Sequence, residues 1–143
     1  MTSYDPNYKP KRVYFLVGQK ALLTRNNKLL LIKRSDKCSN PGTWSLPGGA
    51  LEKDETPESG IKREIKEETG LSINNLKLIH TVALNEKEAF SDKPALLLVW
   101  AGRAKTEDVQ LNWEHDQFKW VTKQEALKEE SLTKFNREFI SKL

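Results

Sequence analysis

The stretch Gly49–Leu71, GALEKDETPESGIKREIKEETGL, constrains this chain more than any other. Thr56 is a good N-cap and Pro57 suits the first helical position. Glu58 falls in the first turn, where the helix dipole favours negative charge. Gly70 supplies the left-handed residue that commonly follows a helix. The spacing therefore predicts a helix over 57–69. On it, Ile61 and Ile65 form a narrow apolar stripe. Glu64, Glu67 and Glu68 form the adjoining one, because positions three and four apart are neighbours on a helix surface.

Three carboxylates crowded at a helix C-terminus need a reason. Like charges at i, i+4 cost about 0.2–0.5 kcal/mol each. An anion at the negative end of the dipole costs about 0.3–1 kcal/mol more. Arg63 can reach Glu67, but the positions three and four away from Glu64 and Glu68 hold no cation. A sequence selected for stability alone would place Lys or Arg there. Two accounts stay open on these grounds: a solvated charged face, and a site for a divalent metal.

The same residues carry a resemblance. The segment resembles the Nudix box: Gly49, Glu55 after five residues, and after seven more Arg63-Glu64-Ile65-Lys66-Glu67-Glu68-Thr69-Gly70-Leu71. Every fixed position of the motif is present. The flanking Trp44-Ser45-Leu46-Pro47-Gly48-Gly49 is similar to the family's usual lead-in. The resemblance implies an α/β fold, the Nudix-type α/β/α sandwich. There a mixed, curved β-sheet carries the box helix on one face and a C-terminal helix on the other.

The rest of the chain is compatible with that expectation. At 143 residues it can bury a core as one domain, with residues 1–10 a loose arm and 11–143 the domain. Its longest apolar run, residues 95–101, is too short to span a bilayer. The N-terminus lacks the apolar core of a signal peptide. A single cysteine, Cys38, excludes an intrachain disulfide and suits a reducing, cytoplasmic setting. The net charge of +4 would draw in anionic substrates. The basic residues are scattered, which is not the footprint of a nucleic-acid binder.

Apolar patterning and turn signals give the organisation. Strands are expected over 13–24, 28–33, 44–46, 76–84, 94–104 and 118–121, with residues 96–100 buried on both faces. Asn26-Asn27 marks a hairpin turn. Residues 85–93 and 107–116 read as polar loops. Thr122 caps a helix running through Glu129, with Glu125 at the capping-box position. Leu132, Phe135, Phe139 and Ile140 mark a final amphipathic helix.

Nudix enzymes hydrolyse a diphosphate that links a nucleoside to another moiety. Divalent metals neutralise its ring of negative oxygens and acidify the attacking water. Mg²⁺ takes oxygen ligands and keeps several waters, so two or three carboxylates suffice, and Mn²⁺ is an alternative. By resemblance Glu67 and Glu68 are metal ligands, and Glu64 is a ligand or the general base. Arg63 projects away from the Glu stripe and pairs with Glu55. The Gly48 carbonyl and Glu114, in the string WEHDQFKW, are further candidate ligands.

Arg34, Lys33 and Arg12 are candidate phosphate contacts, and Trp113, ahead of Phe90, Trp44 and Tyr14, is the candidate for base stacking. His115 and His80 read as structural, as does Cys38. The resemblance implies a small nucleotide substrate: a nucleoside triphosphate, a dinucleoside polyphosphate or a nucleotide sugar. It implies no membrane or nucleic-acid partner, and dimers are common in the family. A non-catalytic nucleotide-sensing module is the alternative. The isoprenoid diphosphate isomerase branch wants a catalytic cysteine in the site and additional metal-binding histidines.

Overall fold

The computed structural model describes residues 2–143. Seven strands form one mixed sheet: β1 Leu16–Arg25, β2 Lys28–Arg34, β3 Trp44–Ser45, β4 Gly48–Ala50, β5 Ile73–Leu84, β6 Ala95–Ala104 and β7 His115–Val121. The spatial order is β3-β2-β1-β6-β5, with β4 added to β1 and β7 to β2. The helices are α1 Pro57–Thr69, α2 Glu86–Ala89, α3 Lys123–Leu127 and α4 Lys134–Ser141. No helix among the described residues is long and apolar enough to cross a membrane.

Side-chain alternation along β1 and β2 divides the interior into two cores. Ala21, Leu23, Leu30 and Ile32 meet Ile61 and Ile65 of α1. Leu22, Leu29 and Leu31 point the other way, to Ala126 of α3 and to Phe139 and Ile140 of α4. A strand covered on both faces reads as a near-continuous apolar run. That is the pattern of residues 21–23 and 29–32, all at most 2% exposed. The result is the expected α/β/α sandwich.

β1 changes partner along its length. At the hairpin end Thr24 and Arg25 pair with Leu29 and Lys28 of β2. Asn26 and Asn27 both take positive φ, as a type I′ turn requires. Towards its start β1 leaves β2 and pairs with β4 instead, Gly18 to Ala50, Gln19 to Gly49 and Lys20 to Gly48. On its other edge it runs parallel to β6 from Leu16 to Thr24.

Several boundaries differ from the sequence expectation. β1 begins at Leu16 rather than Val13, because its parallel partner β6 begins at Ala95; among the described residues no strand lies beside Val13, Tyr14 and Phe15, which are exposed. β5 begins at Ile73, paired with Ala104, and its register against β6 shifts at two irregularities, between Asn74 and Lys77 and between Leu78 and His80. β7 begins at His115, opposite Arg34, and α3 ends at Leu127. The expected loop at 85–93 contains α2, nucleated by an Asn85 cap with Glu88 at the reciprocal position and ended by Phe90 at φ 51°. β4 is an added strand where Pro47-Gly48-Gly49 reads as punctuation.

Candidate metal and diphosphate site

Helix α1 is held by its caps. Thr56 Oγ1 accepts from the Ser59 N–H at 3.2 Å, and Ser59 Oγ accepts from the Thr56 N–H at 3.1 Å. At the other end Gly70 adopts φ 71° and donates to the Lys66 carbonyl. The apolar stripe Ile61–Ile65 fixes the rotation of the helix. That rotation turns Glu68 inward, 3% exposed, and leaves Glu67 on the outer side.

The loop from β4 to α1 is tied down by one arginine. Arg63 donates from Nε to Glu55 Oε2 at 2.7 Å and from NH2 to Glu55 Oε1 at 2.9 Å, a bidentate pair. Glu55 Oε1 also accepts from the Glu52 N–H at 2.7 Å. The arginine chiefly, with that N–H, holds the Glu55 carboxyl down at about 2. The expected Arg63–Glu55 pairing is present, but Arg63 does not project away from the carboxylates. Its NH1 donates to Glu64 Oε1 at 3.0 Å and to Glu67 Oε2 at 3.1 Å. The guanidinium is planar and wide enough to span Glu55 on one side and the stripe on the other.

Gly48 and Gly49 have separate steric reasons to be glycine. Gly48 sits at φ 152°, and a Cβ there would lie 2.0 Å from the Gln19 carbonyl oxygen. A Cβ on Gly49 would lie 2.5–2.7 Å from the Glu64 carboxylate. The Gly48 N–H donates to Glu68 Oε2 at 2.9 Å, so the β4 bend meets the C-terminal end of α1 directly.

Burial pushes the Glu68 carboxyl up to about 8; Gly48 and Lys20 oppose the rise, and Glu64 and Glu114 add to it. Glu64 is also raised, first by burial, and further by Glu67 and Glu114. Glu114 thus comes close enough to act on both, although it sits on the loop before β7, where its Oε1 accepts from Asn112 at 3.2 Å. Among the described residues these groups are not closed into a cage of three ligands. Arg63 bridges Glu64 and Glu67, while Glu68 turns to Gly48. The donor set nevertheless fits a hard divalent cation: carboxylate and carbonyl oxygens only, with two carboxylates that burial and one another hold in want of positive charge.

Beside the carboxylates a cleft of about 340 Å³ opens between β1, β3 and α4. Lys20 and Arg34 line it, with Trp44, Phe90, Phe135 and Asn136 further along. Arg34 also orders the β2–β3 loop, donating from Nε to the Ser39 carbonyl at 2.6 Å. Lys33 lies against the Trp44 ring at 5.9 Å. Arg12 lies exposed on the arm before β1, and Trp113 is 63% exposed outside the cleft lining. Phe90, 97% exposed, stands at the rim.

His115 is buried, its Nδ1 has no hydrogen-bond partner among the described residues, and burial with nearby Arg34 and Lys20 lowers its pKa to about 4. His80 packs edge-on to Phe139. Cys38 is partly buried beside the Glu114 carbonyl.

Sequence reasoning missed Lys20. The readable signal is Gln19-Lys20 in the middle of an apolar strand covered on both faces. Two adjacent polar residues there must each face a different side. Gln19 turns towards α1 and accepts from Trp100 Nε1 at 2.8 Å. Lys20 turns into the cleft.

The chain belongs to the Nudix family: the NUDIX domain model matches residues 15–143. It is 32% identical over 114 residues to the nucleoside triphosphatase NudI of Enterobacter sp., covering 72% of this chain and 79% of that one. An 8-oxo-dGTP diphosphatase of Proteus vulgaris is 34% identical over 73 residues, covering 51% of this chain and 63% of its own. Two other curated relatives are matched over only 31% and 38% of their length, so the chain spans less than two thirds of these three. The MutT protein of Methanosarcina mazei Go1 superposes with a TM-score of 0.75 at 29% identity, covering 92% of this chain and 94% of that one.

Proposed function

We propose that this protein is a divalent-metal-dependent pyrophosphohydrolase acting on a nucleoside diphosphate linked to another moiety. The observation that carries the reading is the placement of buried Glu68 on the Gly48 N–H, near Glu64, Glu114 and Lys20, the last of which lines the adjoining cleft with Arg34. Carboxylates alone would repel a diphosphate. Carboxylates that gather a cation, next to side chains that are themselves cationic, suit one.

Glu67 and Glu68 would hold Mg²⁺ or Mn²⁺, with the Gly48 carbonyl and Glu114 as further oxygen donors. The chemistry supplied by a bound divalent cation is charge neutralisation on the diphosphate and acidification of water. Glu64 serves as the general base: Arg63 occupies its Oε1, which leaves Oε2 to take the proton as water attacks phosphorus. The bridging P–O bond breaks and its electron pair leaves with the departing phosphate. Arg63 keeps the base and the Glu55 loop in one frame. Glu68 is oriented by the Gly48 N–H.

Nucleoside triphosphates head the substrate classes, on the names of the Enterobacter and Proteus relatives. Dinucleoside polyphosphates and nucleotide sugars follow. The test is phosphate and pyrophosphate release across a panel of canonical and oxidised nucleoside triphosphates, dinucleoside polyphosphates, ADP-ribose and nucleotide sugars. Each is assayed with Mg²⁺, with Mn²⁺ and with chelator. Metal-dependent cleavage of one class is expected; absence of turnover across the panel sinks the proposal.

A further inference from the structure

Lys20 is anomalous for a mid-strand lysine. Its neighbours Ala21, Leu22 and Leu23 are fully buried, and its own side chain is partly buried in the cleft wall. Nζ donates to Ser45 Oγ and to the Leu46 carbonyl, both at 3.3 Å. These acceptors are neutral and the contacts are long. Among the described residues Lys20 forms no ion pair. Glu68 acts on the ammonium through space, without a direct contact, and offsets only part of its desolvation; proteins keep such a group where something else completes the compensation.

Its surroundings say what that is. Lys20 pairs across the ladder with Gly48, so it stands directly beside the bend whose N–H holds Glu68 of α1. Arg34 lines the same cleft, and this second cation works against Glu68 and adds to the cost of holding the ammonium there. The buried Glu68 is oriented by the Gly48 N–H rather than by the ammonium. Lys20 and Arg34 on the cleft wall, where Glu88 of α2 is also found, stand next to a cluster of carboxylates outside the lining, so cations and that cluster are separated. A metal-complexed diphosphate has the matching division.

We propose that Lys20 is a diphosphate-binding residue of the cleft, contacting a non-bridging phosphate oxygen of the substrate opposite the carboxylates. The assignment rests on the hydrolase reading for its substrate class, and it adds a contact outside the Nudix box. Ser45 and Leu46 act as a cradle that holds the ammonium in place until an anion arrives. An extended ammonium positioned in advance loses little side-chain freedom on binding.

Calorimetric titration with imidodiphosphate, a non-hydrolysable pyrophosphate analogue, in the presence of Mg²⁺ tests this on wild type, Lys20→Met and Lys20→Gln. The glutamine keeps a donor for Ser45 and Leu46 but carries no charge. Both variants are expected to lose tenfold or more in affinity, with a shallower salt dependence. Wild-type affinity in the glutamine variant would assign Lys20 to tethering β1 to β3 and overturn the proposal. If the variants misfold, amine labelling of wild type decides: imidodiphosphate must protect Lys20, and unchanged labelling overturns it. Lys20-dependent binding in a protein that hydrolyses no nucleotide would remove the hydrolase reading and keep this one. Normal turnover in Lys20→Gln would do the reverse.

Discussion

Gly48 and Gly49 are adjacent, yet a methyl group does different harm at each. At Gly48 it meets backbone, 2.0 Å from the Gln19 oxygen, at a φ of 152°. Nothing there can give without breaking the β1–β4 pairing, so Gly48→Ala is expected to cost at least about 1–3 kcal/mol of stability in denaturant unfolding. At Gly49 the methyl meets the end of the flexible Glu64 side chain. Gly49→Ala therefore moves Glu64 and leaves the fold. The expected result is a loss of activity of roughly tenfold or more, with a melting temperature near wild type. Glu68→Gln keeps the shape and the Gly48 N–H contact but removes the charge. Metal-dependent hydrolysis should fall by roughly 100-fold or more in steady-state assays, without loss of fold.

At the scale of elements, what was legible in the sequence is what is encoded locally. α1 falls at its expected bounds because the Thr56 cap, Pro57, the Ile stripe and Gly70 all lie within the helix or beside it. Thr56→Ala should therefore act on stability alone, by about 1 kcal/mol, a shift of about 3 °C by thermal melt. The β1–β2 hairpin was legible for the same reason, through Asn26-Asn27. What was not legible depends on distant partners. The start of β1 is set by Ala95 of β6, and β4 exists because β1 leaves β2 and takes a new edge. Side-chain direction was hidden likewise: Arg63 reads as turned from the stripe, yet its guanidinium spans Glu55, Glu64 and Glu67. Lys20 lines a cleft only because β3 and α4 come together beside it; the Gln19-Lys20 pair is a local signal, but the elements that close the cleft are distant in sequence.

For the whole molecule, the buried ionisable groups make stability a function of pH in a way that the metal should invert. Unfolded, Glu68 titrates near 4.5; folded without metal it is held at about 8. Between those values the folded state binds the extra proton, so the group's contribution to stability declines as pH rises through 8. His115 has the opposite sign: folded it titrates at about 4, unfolded near 6.5, so between them the unfolded state binds the extra proton and stability declines as pH falls. Each slope is at most about 1.4 kcal/mol per pH unit. From 4.5 to 6.5 the two oppose one another, and from 6.5 to 8 only the Glu68 slope remains of the pair. Chelated protein should thus lose melting temperature between pH 6.5 and 8, and Glu68→Gln should abolish that decline. A divalent cation binds the ionised carboxylate, so with Mg²⁺ present the stabilisation should grow with pH over the same range. Melts across pH with and without chelator separate these cases. A decline that persists in Glu68→Gln would place its source elsewhere, and an Mg²⁺ effect independent of pH would remove Glu68 from the metal site.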